Sequence, residues 1–247
     1  MPSFRPLSIA VVFALALISI GTPAPLPKAG MTGPWVDSFD GKLVLDWKVI
    51  RPDPTQVSLK KVPGALVITT QRGTIHGKEK EDALSEGTQA KNIHLIDIPL
   101  DKDVEWSATT CVSNFLPDTY YQQAGMIVYD DDDNYLKWGY EYDGQRPAGQ
   151  AFVLVAETEG NPVHVRPKAS ESGLKKYWLK FTKRGDNYEF AWSKDGDKWV
   201  IGGERRWGNG TPKRVGLIAK NGGNKDAAEI DAAFEFFELR ALPPAKK

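Results

Sequence analysis

Cysteine and histidine are scarce in this sequence: its 247 residues contain one cysteine, Cys111, and three histidines. A single cysteine cannot form an intramolecular disulfide, so a packed core has to stabilise the fold. Cys111 lies in a predicted strand rather than at the start of a helix, and we expect a small buried side chain rather than a nucleophile. The histidines, His76, His94 and His164, lack the close spacing of zinc ligands. A zinc hydrolase and a cysteine hydrolase are therefore disfavoured.

An excess of charge of either sign is also absent. Lys and Arg together number 32, as do Asp and Glu, so the formal net charge is zero. Nucleic acids and anionic membranes are bound through strongly basic surfaces, and no global field of that kind exists here. We therefore expect no nucleic-acid partner.

Long hydrophobic runs are missing, apart from one near the start of the chain. Residues 7–20 are apolar, follow a short segment that carries Arg5, and precede small residues and prolines. This is the outline of a signal peptide, and the run is shorter than the roughly 20 residues of a membrane-spanning helix. We predict a signal peptide over 1–24, a linker over 25–34 and one domain over 35–242. The predicted location is secreted or periplasmic, without a stable membrane span after cleavage.

Helical periodicity is almost absent, and short segments rich in β-branched and aromatic residues take its place. Clusters of Gly, Asp, Asn and Pro separate these segments at intervals typical of a sandwich. We predict an all-β fold, an antiparallel two-sheet sandwich of about twelve strands. The clearest strands are 57–61, 65–70, 104–112, 124–129, 134–142, 151–157, 177–183, 187–193, 214–220 and 233–240.

One predicted connection is unusually long. Residues 71–92 are charged and weakly periodic, and they interrupt the series of strands once. Loops of this length in a compact domain are uncommon and are often functional, although a long loop is also tolerated without a function. We expect a mobile loop here and leave a binding role open.

Several segments along residues 37–240 carry a resemblance to a known family, in that family's order. They are Phe39-Asp40-Gly41 with Leu45 and Trp47, Pro63-Gly64-Ala65-Leu66, Gln123-Ala124-Gly125-Met126-Ile127-Val128-Tyr129-Asp130, Asp133-Asn134-Tyr135-Leu136-Lys137, Trp178-Leu179-Lys180-Phe181, Ser193-Lys194-Asp195-Gly196 with Trp199, and Val215-Gly216-Leu217-Ile218-Ala219. The chain resembles the C-terminal concanavalin A-like domain of β-xylosidases and its stand-alone secreted relatives, in the concanavalin A-like lectin/glucanase superfamily.

That resemblance implies a jelly roll of two antiparallel sheets, one of them concave, with the first and last strands close together. It implies no single chemistry. In β-xylosidases this module helps to shape the active site of a separate catalytic domain, so that role is not carried over to this sequence.

Two pairs of acids have the alternate spacing that a glycosidase on a jelly roll would use: Glu141 with Asp143, and Glu229 with Asp231. Alternate residues of a strand share a face, and a retaining glycosidase needs two carboxyl groups about 5–5.5 Å apart. Neither pair has the flanking third acid of the jelly-roll glucanase motif. We favour structural roles instead, with a lysine partner for Glu141 and a turn or metal contact for Asp231.

The acidic run at residues 130–134 is a weak candidate for a calcium site, through Asp130 and Asp132. Calcium takes about six to eight oxygen ligands, whereas adjacent acids on a turn point in different directions, and the run lacks the ligand spacing of an EF-hand. We predict no cofactor, and a structural calcium ion stays open.

Aromatic residues are abundant, with eight Trp and eight Tyr, and flat rings bind the faces of sugars. Trp138 and Tyr140 share one strand face, so they either fill the core between the sheets or form a line of sugar platforms. Polar neighbours would orient a sugar if their face is the concave one, and are otherwise ordinary exposed residues. The candidate carbohydrate-binding residues are Gln123, Lys137, Trp138, Tyr140, Glu141, Trp178, Lys180, Trp192 and Trp207.

The resulting hypothesis is an exported, non-catalytic module that binds or associates with a polysaccharide or oligosaccharide. It rests on the resemblance of the fold, the predicted export and the aromatic surplus. A glycoside hydrolase with an atypical carboxylate pair is the first alternative, and a structural sandwich that binds another protein is the second. Facing acids in a cleft would favour the hydrolase, and a concave sheet without exposed rings would favour the interaction protein.

Overall fold

The computed structural model describes residues 33–75, 89–145, 149–208 and 212–243. The predicted signal peptide, most of the predicted linker and much of the predicted loop at 71–92 lie outside these residues, and the signal peptide stays a prediction. In the described part of the chain, no helix is long and apolar enough to span a membrane.

The described residues contain fifteen strands and one 3₁₀ turn, Pro54–Gln56, and no α-helix. The 3₁₀ turn begins after Asp53, whose carboxylate accepts a hydrogen bond from the backbone N–H of Thr55 at 3.3 Å. The strands are β1 (Trp35–Asp37), β2 (Lys48–Ile50), β3 (Val57–Ser58), β4 (Leu66–Thr69), β5 (Ile93–Asp97), β6 (Trp106–Ser113), β7 (Gln123–Asp131), β8 (Asn134–Tyr142), β9 (Gln150–Thr158), β10 (Asn161–Val165), β11 (Lys176–Arg184), β12 (Asn187–Ser193), β13 (Trp199–Arg206), β14 (Arg214–Lys220) and β15 (Asp231–Ala241).

The strands form two antiparallel sheets packed face to face, which confirms the predicted all-β jelly-roll sandwich. One sheet has eight strands in the order β13-β12-β11-β6-β15-β4-β3, with β1 also paired to β15. The other has seven strands in the order β10-β9-β8-β7-β14-β5-β2. The first strand therefore lies beside the last, with Trp35 opposite Leu239.

The ten clearest predicted strands are all present, and the expected total of about twelve was too low. Four of the five further strands, all except β5, have weak signals for physical reasons. Two of them, β1 and β2, are only three residues long, and the edge strand β10 contains Pro162. The edge strand β13 contains Gly202 and Gly203, and glycine weakens the pattern of a strand.

Aromatic side chains from both sheets fill the space between the layers. Trp138 of the seven-stranded sheet packs against Phe190 of the other sheet, with ring centres 4.9 Å apart. Phe152 stacks on Trp192 at 4.6 Å. Each of these rings is almost fully buried, and each buried side chain of this size contributes about 1.5–3 kcal/mol by leaving water. Cys111 is buried as predicted.

Asp37 closes the start of the domain onto this core. Its buried carboxylate accepts hydrogen bonds from the backbone N–H groups of Phe39 at 3.1 Å, Val44 at 2.8 Å and Leu45 at 3.2 Å, and from the Trp47 indole N–H at 2.8 Å. One carboxylate thus satisfies four donors in a segment without regular structure, and fixes Trp47 against the core ring of Phe237.

Candidate functional site

The candidate site lies on the outer face of the seven-stranded sheet, at the end of β8 where polar residues cluster. Alternation along β8 turns Trp138 and Tyr140 inward and Lys137 and Glu141 outward. The Trp138 indole N–H donates to the Ala191 carbonyl of the opposite sheet at 2.9 Å, which fixes the face that points inward.

Beside these outward residues is a cavity of about 190 Å³. That is smaller than the about 300–1,000 Å³ of a site for a drug-sized ligand. The cavity therefore has room only for a small polar group. A second cavity of about 150 Å³ adjoins it and shares Tyr121, Glu141 and His164. Five strands supply the charged and amide groups of the larger cavity, which are Gln123, Lys137, Glu141, Glu157, His164 and Lys220.

Two buried lysines define one side of the cavity. Lys137 and Lys220 are each only 6% exposed. The ammonium group of Lys137 donates a short hydrogen bond to the Gln123 side-chain carbonyl, and Lys220 stands opposite Gln123 in the β7–β14 register. Burial lowers the pKa of Lys137, although Glu141 and Glu157 oppose this shift. Burial, and then the charge of Lys137, lower the pKa of Lys220 well below its ordinary value.

Glu141 is the buried acid of the site, also 6% exposed. Burial raises its pKa, and the charges of Lys137 and Lys220 oppose the shift. Among the described residues its carboxylate makes neither a hydrogen bond nor an ion pair. A buried carboxyl group that favours its neutral form and lacks a protein partner can donate a hydrogen bond to a bound molecule.

Glu157 lies at the other end of the cavity. It accepts the hydroxyl proton of Tyr135 at 2.8 Å, and burial together with Glu157 raises the pKa of that tyrosine well above its ordinary value. Glu157 pairs in register with Tyr135, six positions along β8 from Glu141. At about 3.4 Å per residue the two glutamates are roughly 20 Å apart along the backbone. Their side chains cannot reduce this to the about 5–5.5 Å of a retaining glycosidase.

An ion pair between two lining residues fixes one wall of the second cavity. Arg166 Nε donates to Asp143 at 2.6 Å, and the Asp143 side chain is 3% exposed. His164 stands exposed on the rim, and its pKa is lowered by partial burial and by the charges of Lys137 and Arg166. No hydrogen bond to the His164 ring is formed within the described part of the chain. Its imidazole is therefore neutral at pH 7 and open to a ligand.

Two tyrosines form an aromatic rim beside these groups. Tyr120 is 43% exposed and Tyr121 is 38% exposed, and their ring centres lie 5.4 Å apart. Tyr121 has a φ of 69°, a left-handed conformation that is strained for a bulky side chain and that marks functional sites more often than other loops. Two glycines make room for the pair. A Cβ on Gly144 would lie 2.1 Å from the ring of Tyr120, and one on Gly222 would lie 2.5 Å from the Cβ of Tyr121.

With this geometry in place, comparison with known proteins identifies the family. A family model described as "Protein of unknown function (DUF1349)" matches residues 57–241. The chain belongs to the DUF1349 family. No curated protein matches the sequence significantly.

Solved structures share the sandwich of this DUF1349 protein. The GH43 protein BlXynB of Bacillus licheniformis is 26% identical with a TM-score of 0.68, over 84% of this chain and 39% of that one. The xylan β-1,4-xylosidase of Bacillus halodurans C-125 is 15% identical with a TM-score of 0.61, over 85% of this chain and 40% of that one. The chain thus spans about two fifths of these glycoside hydrolases, and the resemblance to the concanavalin A-like domain of β-xylosidases is confirmed.

A third neighbour is a single module that is matched over almost its whole length. The CBM2 module of the evolved Dit of Lactobacillus casei BL23 phage J-1 is 9% identical with a TM-score of 0.53, over 83% of this chain and 93% of that one. At this identity the likeness concerns the fold alone. The neighbours together show that the DUF1349 protein has the β-sandwich fold of these domains.

The residues predicted from the sequence fall into three places. Gln123, Lys137 and Glu141 meet at the cavity. The aromatic candidates on the inward faces do not: Trp138, Tyr140, Trp192 and Trp207 are buried in the core between the sheets. The hypothesis that these four rings are sugar platforms is therefore wrong. Strand alternation turns Trp138, Tyr140 and Trp192 away from solvent, and Trp207, which follows β13, donates its indole N–H to the Glu157 carbonyl at 2.9 Å.

Trp178 and Lys180 lie elsewhere again. They are on β11 in the eight-stranded sheet, facing outward and away from the cavity. Lys176 lies over the ring of Trp178 at 5.1 Å, and Lys180 lies over the ring of Trp199 at 3.9 Å. These cation–π contacts cover part of each ring.

The two weak calcium candidates are engaged by other groups. Asp132 forms a two-pronged ion pair with Arg51, at 2.7 and 3.0 Å, and accepts the Tyr129 hydroxyl proton at 2.7 Å. Asp130 accepts a hydrogen bond from the backbone N–H of Lys213 at 2.9 Å. No group of three or more metal-binding side chains occurs in the ranges that the structure describes. Asp231, for its part, binds Lys61 and Thr69 rather than facing the cavity.

Sequence reasoning missed most of the cavity. Five residues were not among the candidates, because they come from four separate segments that only the fold brings together: Tyr120, Tyr121, Glu157, His164 and Lys220. One local signal was available. Arg214, Gly216, Ile218 and Lys220 alternate with the buried apolar residues of β14, which places Lys220 on the outer face.

Proposed function

We propose that this DUF1349 protein is an exported, non-catalytic carbohydrate-binding module that binds a polysaccharide on the outer face of its seven-stranded sheet. The family model carries no function, so the proposal depends on the site. The neighbours support a carbohydrate-associated fold, and the site supplies the groups that such binding needs.

One observation carries the proposal. Buried polar side chains line a small cavity without protein partners among the described residues, at Glu141 and Lys220, and exposed tyrosine rings stand beside it. Buried polar groups in folded proteins are almost always hydrogen-bonded, so unused donors around a cavity favour a polar ligand. A sugar ring has hydroxyl groups for these partners and an apolar face for Tyr121.

A hydrolase is the second candidate, favoured by one feature of β8. Glu141 and Asp143 share the outer face at alternate positions, and their environments differ: burial favours the neutral form of Glu141, whereas Arg166 pairs with Asp143. An acid and an ionised carboxylate at this spacing are the components of a retaining mechanism. However, Asp143 is held by Arg166 and its side chain is 3% exposed, which suits a structural anchor better than a nucleophile.

The test is retention on a polysaccharide panel that includes xylan, with reducing-sugar release measured in the same samples. We expect retention without sugar release. Tyr121→Ala removes a rim ring and should weaken retention at least about tenfold, since aromatic hot spots at a binding site are worth about 2 kcal/mol or more. Ile201→Ala is the matched control, because Ile201 is 53% exposed on an edge strand of the other sheet.

Each alternative has its own outcome. Sugar release that Glu141→Gln and Asp143→Asn both abolish would identify an enzyme and overturn the proposal. Absence of retention on every polysaccharide would favour a sandwich that binds another protein. Equal loss in the Tyr121 and Ile201 variants would mean that the cavity is not the binding surface.

A further inference from the structure

Two ammonium groups meet in the cavity, from the two strands that flank β7. Lys137 of β8 reaches across to the side-chain carbonyl of Gln123, and Lys220 of β14 stands directly opposite the same glutamine. β8 and β14 each lie about 4.8 Å from β7 on opposite sides, and both lysines line the same cavity. Both side chains are more than nine-tenths buried.

Neither ammonium group forms an ion pair in the described part of the chain, although the charges of Glu141 and Glu157 act on both from a distance. The hydrogen bond of Lys137 goes to a neutral amide, and Lys220 makes neither a hydrogen bond nor an ion pair there. A buried charge without a partner is costly for the fold. Two lysines without a direct ionic partner line the wall of one cavity, which favours a partner from outside the chain.

None of the described acids around the cavity forms an ion pair with either lysine. Asp143 is paired with Arg166, and Glu157 accepts a hydrogen bond from the Tyr135 hydroxyl group and acts on the lysines only from a distance. Glu141 forms no ion pair with either lysine, and its burial favours the neutral carboxyl group. A neutral carboxyl group does not repel an anion and can donate a hydrogen bond to it.

We propose that this cavity takes an acidic sugar, a uronic acid residue of a polysaccharide whose carboxylate lies between the ammonium groups of Lys137 and Lys220. This inference rests on the proposed function and adds the class of ligand. A carboxylate accepts hydrogen bonds and carries a negative charge, so it can form a direct ion pair with both lysines. A neutral sugar residue would supply hydroxyl groups but no charge that could form an ion pair with the lysines.

The test compares matched ligands by isothermal titration calorimetry with the full-length protein. The acidic probes are a glucuronic-acid-substituted xylo-oligosaccharide and a galacturonic acid oligosaccharide. Each is paired with the same molecule after reduction of its carboxylates to primary alcohols. We expect at least one acidic probe to bind about tenfold or more tightly than its reduced partner, because charge-assisted hydrogen bonds are roughly twice as strong as neutral ones.

The lysine variants assign that preference to the site. Lys220→Met and Lys137→Met should each remove most of the preference for the acidic member. Lys60→Met should leave it unchanged, because Lys60 is exposed at the turn that follows β3 in the other sheet.

The outcomes separate this inference from the proposed function. Equal affinity for the acidic and reduced members overturns the inference while the binding function stands, whereas absence of binding to all four probes removes both. A preference for the acidic probe that persists in Lys220→Met also overturns the inference, since the carboxylate of the probe would then be bound at another place on the protein. Inorganic sulfate that binds as tightly as the acidic oligosaccharide would indicate a general anion site rather than a sugar site.

Discussion

Replacement of Lys220 by Met should make the protein more stable. The ammonium group is buried, lies near the charge of Lys137 and has no ion pair within the described residues. Methionine keeps the length of the side chain and removes the charge, so the packing of β14 is retained. The substitution thus isolates the cost of holding this lysine inside the site.

The magnitude has an upper limit that follows from the ordinary pKa of lysine, 10.5. At pH 7 the folded protein can always avoid the charge by releasing the proton. For a lysine with that pKa this costs about 5 kcal/mol, because each pH unit is worth about 1.4 kcal/mol. Replacement of buried ionic groups by apolar ones typically stabilises by about 1–4 kcal/mol. We therefore expect a gain of about 1–4 kcal/mol in the free energy of unfolding at pH 7.

The sign of the pH dependence gives a second check. The folded-state pKa of Lys220 is lowered, so the unfolded chain binds a proton that the folded chain does not bind, between the lowered pKa and 10.5. The stability of the wild-type protein therefore rises with pH in this window. The advantage of Lys220→Met should shrink as the pH approaches 10.

Urea unfolding followed by tryptophan fluorescence at pH 7 and pH 9.5 measures both effects. Lys60→Met is the control and should change stability by less than about 0.5 kcal/mol, as expected for an exposed side chain. A variant that is less stable than the wild type at pH 7 would refute the reasoning, because it would show that Lys220 is well paired in the folded protein. An advantage that does not change with pH would refute the role of its proton.

Three further predictions concern the core, the start of the domain and the buried acid. Trp138→Ala should lower the free energy of unfolding, measured by chemical denaturation, by about 3–5 kcal/mol, because it leaves a cavity in a fully buried site beside Phe152 and Phe190. A loss below about 1 kcal/mol would contradict the position of Trp138 in the core. Asp37→Ala should cost about 3 kcal/mol or more in the same assay, since it leaves four donors without their acceptor, and a neutral result would count against that network. Glu141→Gln should gain stability relative to the wild type when the pH is raised from 4 to 7. The pKa of Glu141 is raised, so the wild-type protein loses stability as the pH rises above 4.5, whereas the glutamine variant does not. Thermal melts of both proteins at the two pH values measure this, and a stability difference that does not change with pH would contradict the prediction.

The strand pattern predicted the sandwich well, but it could not show which side of β8 is the core. All but the two end residues of β8 are buried. The opposite sheet covers one side of the strand, and the side chains around the cavity cover the other. The alternation along β8 therefore distinguishes its two faces. Since neither face is exposed to solvent, it does not show which one points into the core. The polar set at Lys137 and Glu141 was on the outer face, and the aromatic set at Trp138 and Tyr140 formed the core.

The sheet to which each strand belongs was also hidden in the sequence. Trp178 and Lys180 alternate in the same way as residues of the site, yet β11 pairs with β6 and β12 in the eight-stranded sheet. The pairing of strands distant in sequence depends on the whole fold rather than on local propensity. For the same reason the meeting of Gln123 with Lys220 could not be read from either segment alone.

The pairing of β1 with β15 has a consequence for how the domain is attached. Trp35 and Leu239 are partners in the eight-stranded sheet, so the chain enters and leaves the domain side by side, in the layer that does not carry the cavity. A segment joined at either end would emerge from the eight-stranded sheet and leave the face that carries the cavity open. The same closeness would let a short linker join the two ends, with new termini opened at the Gly185 turn between β11 and β12.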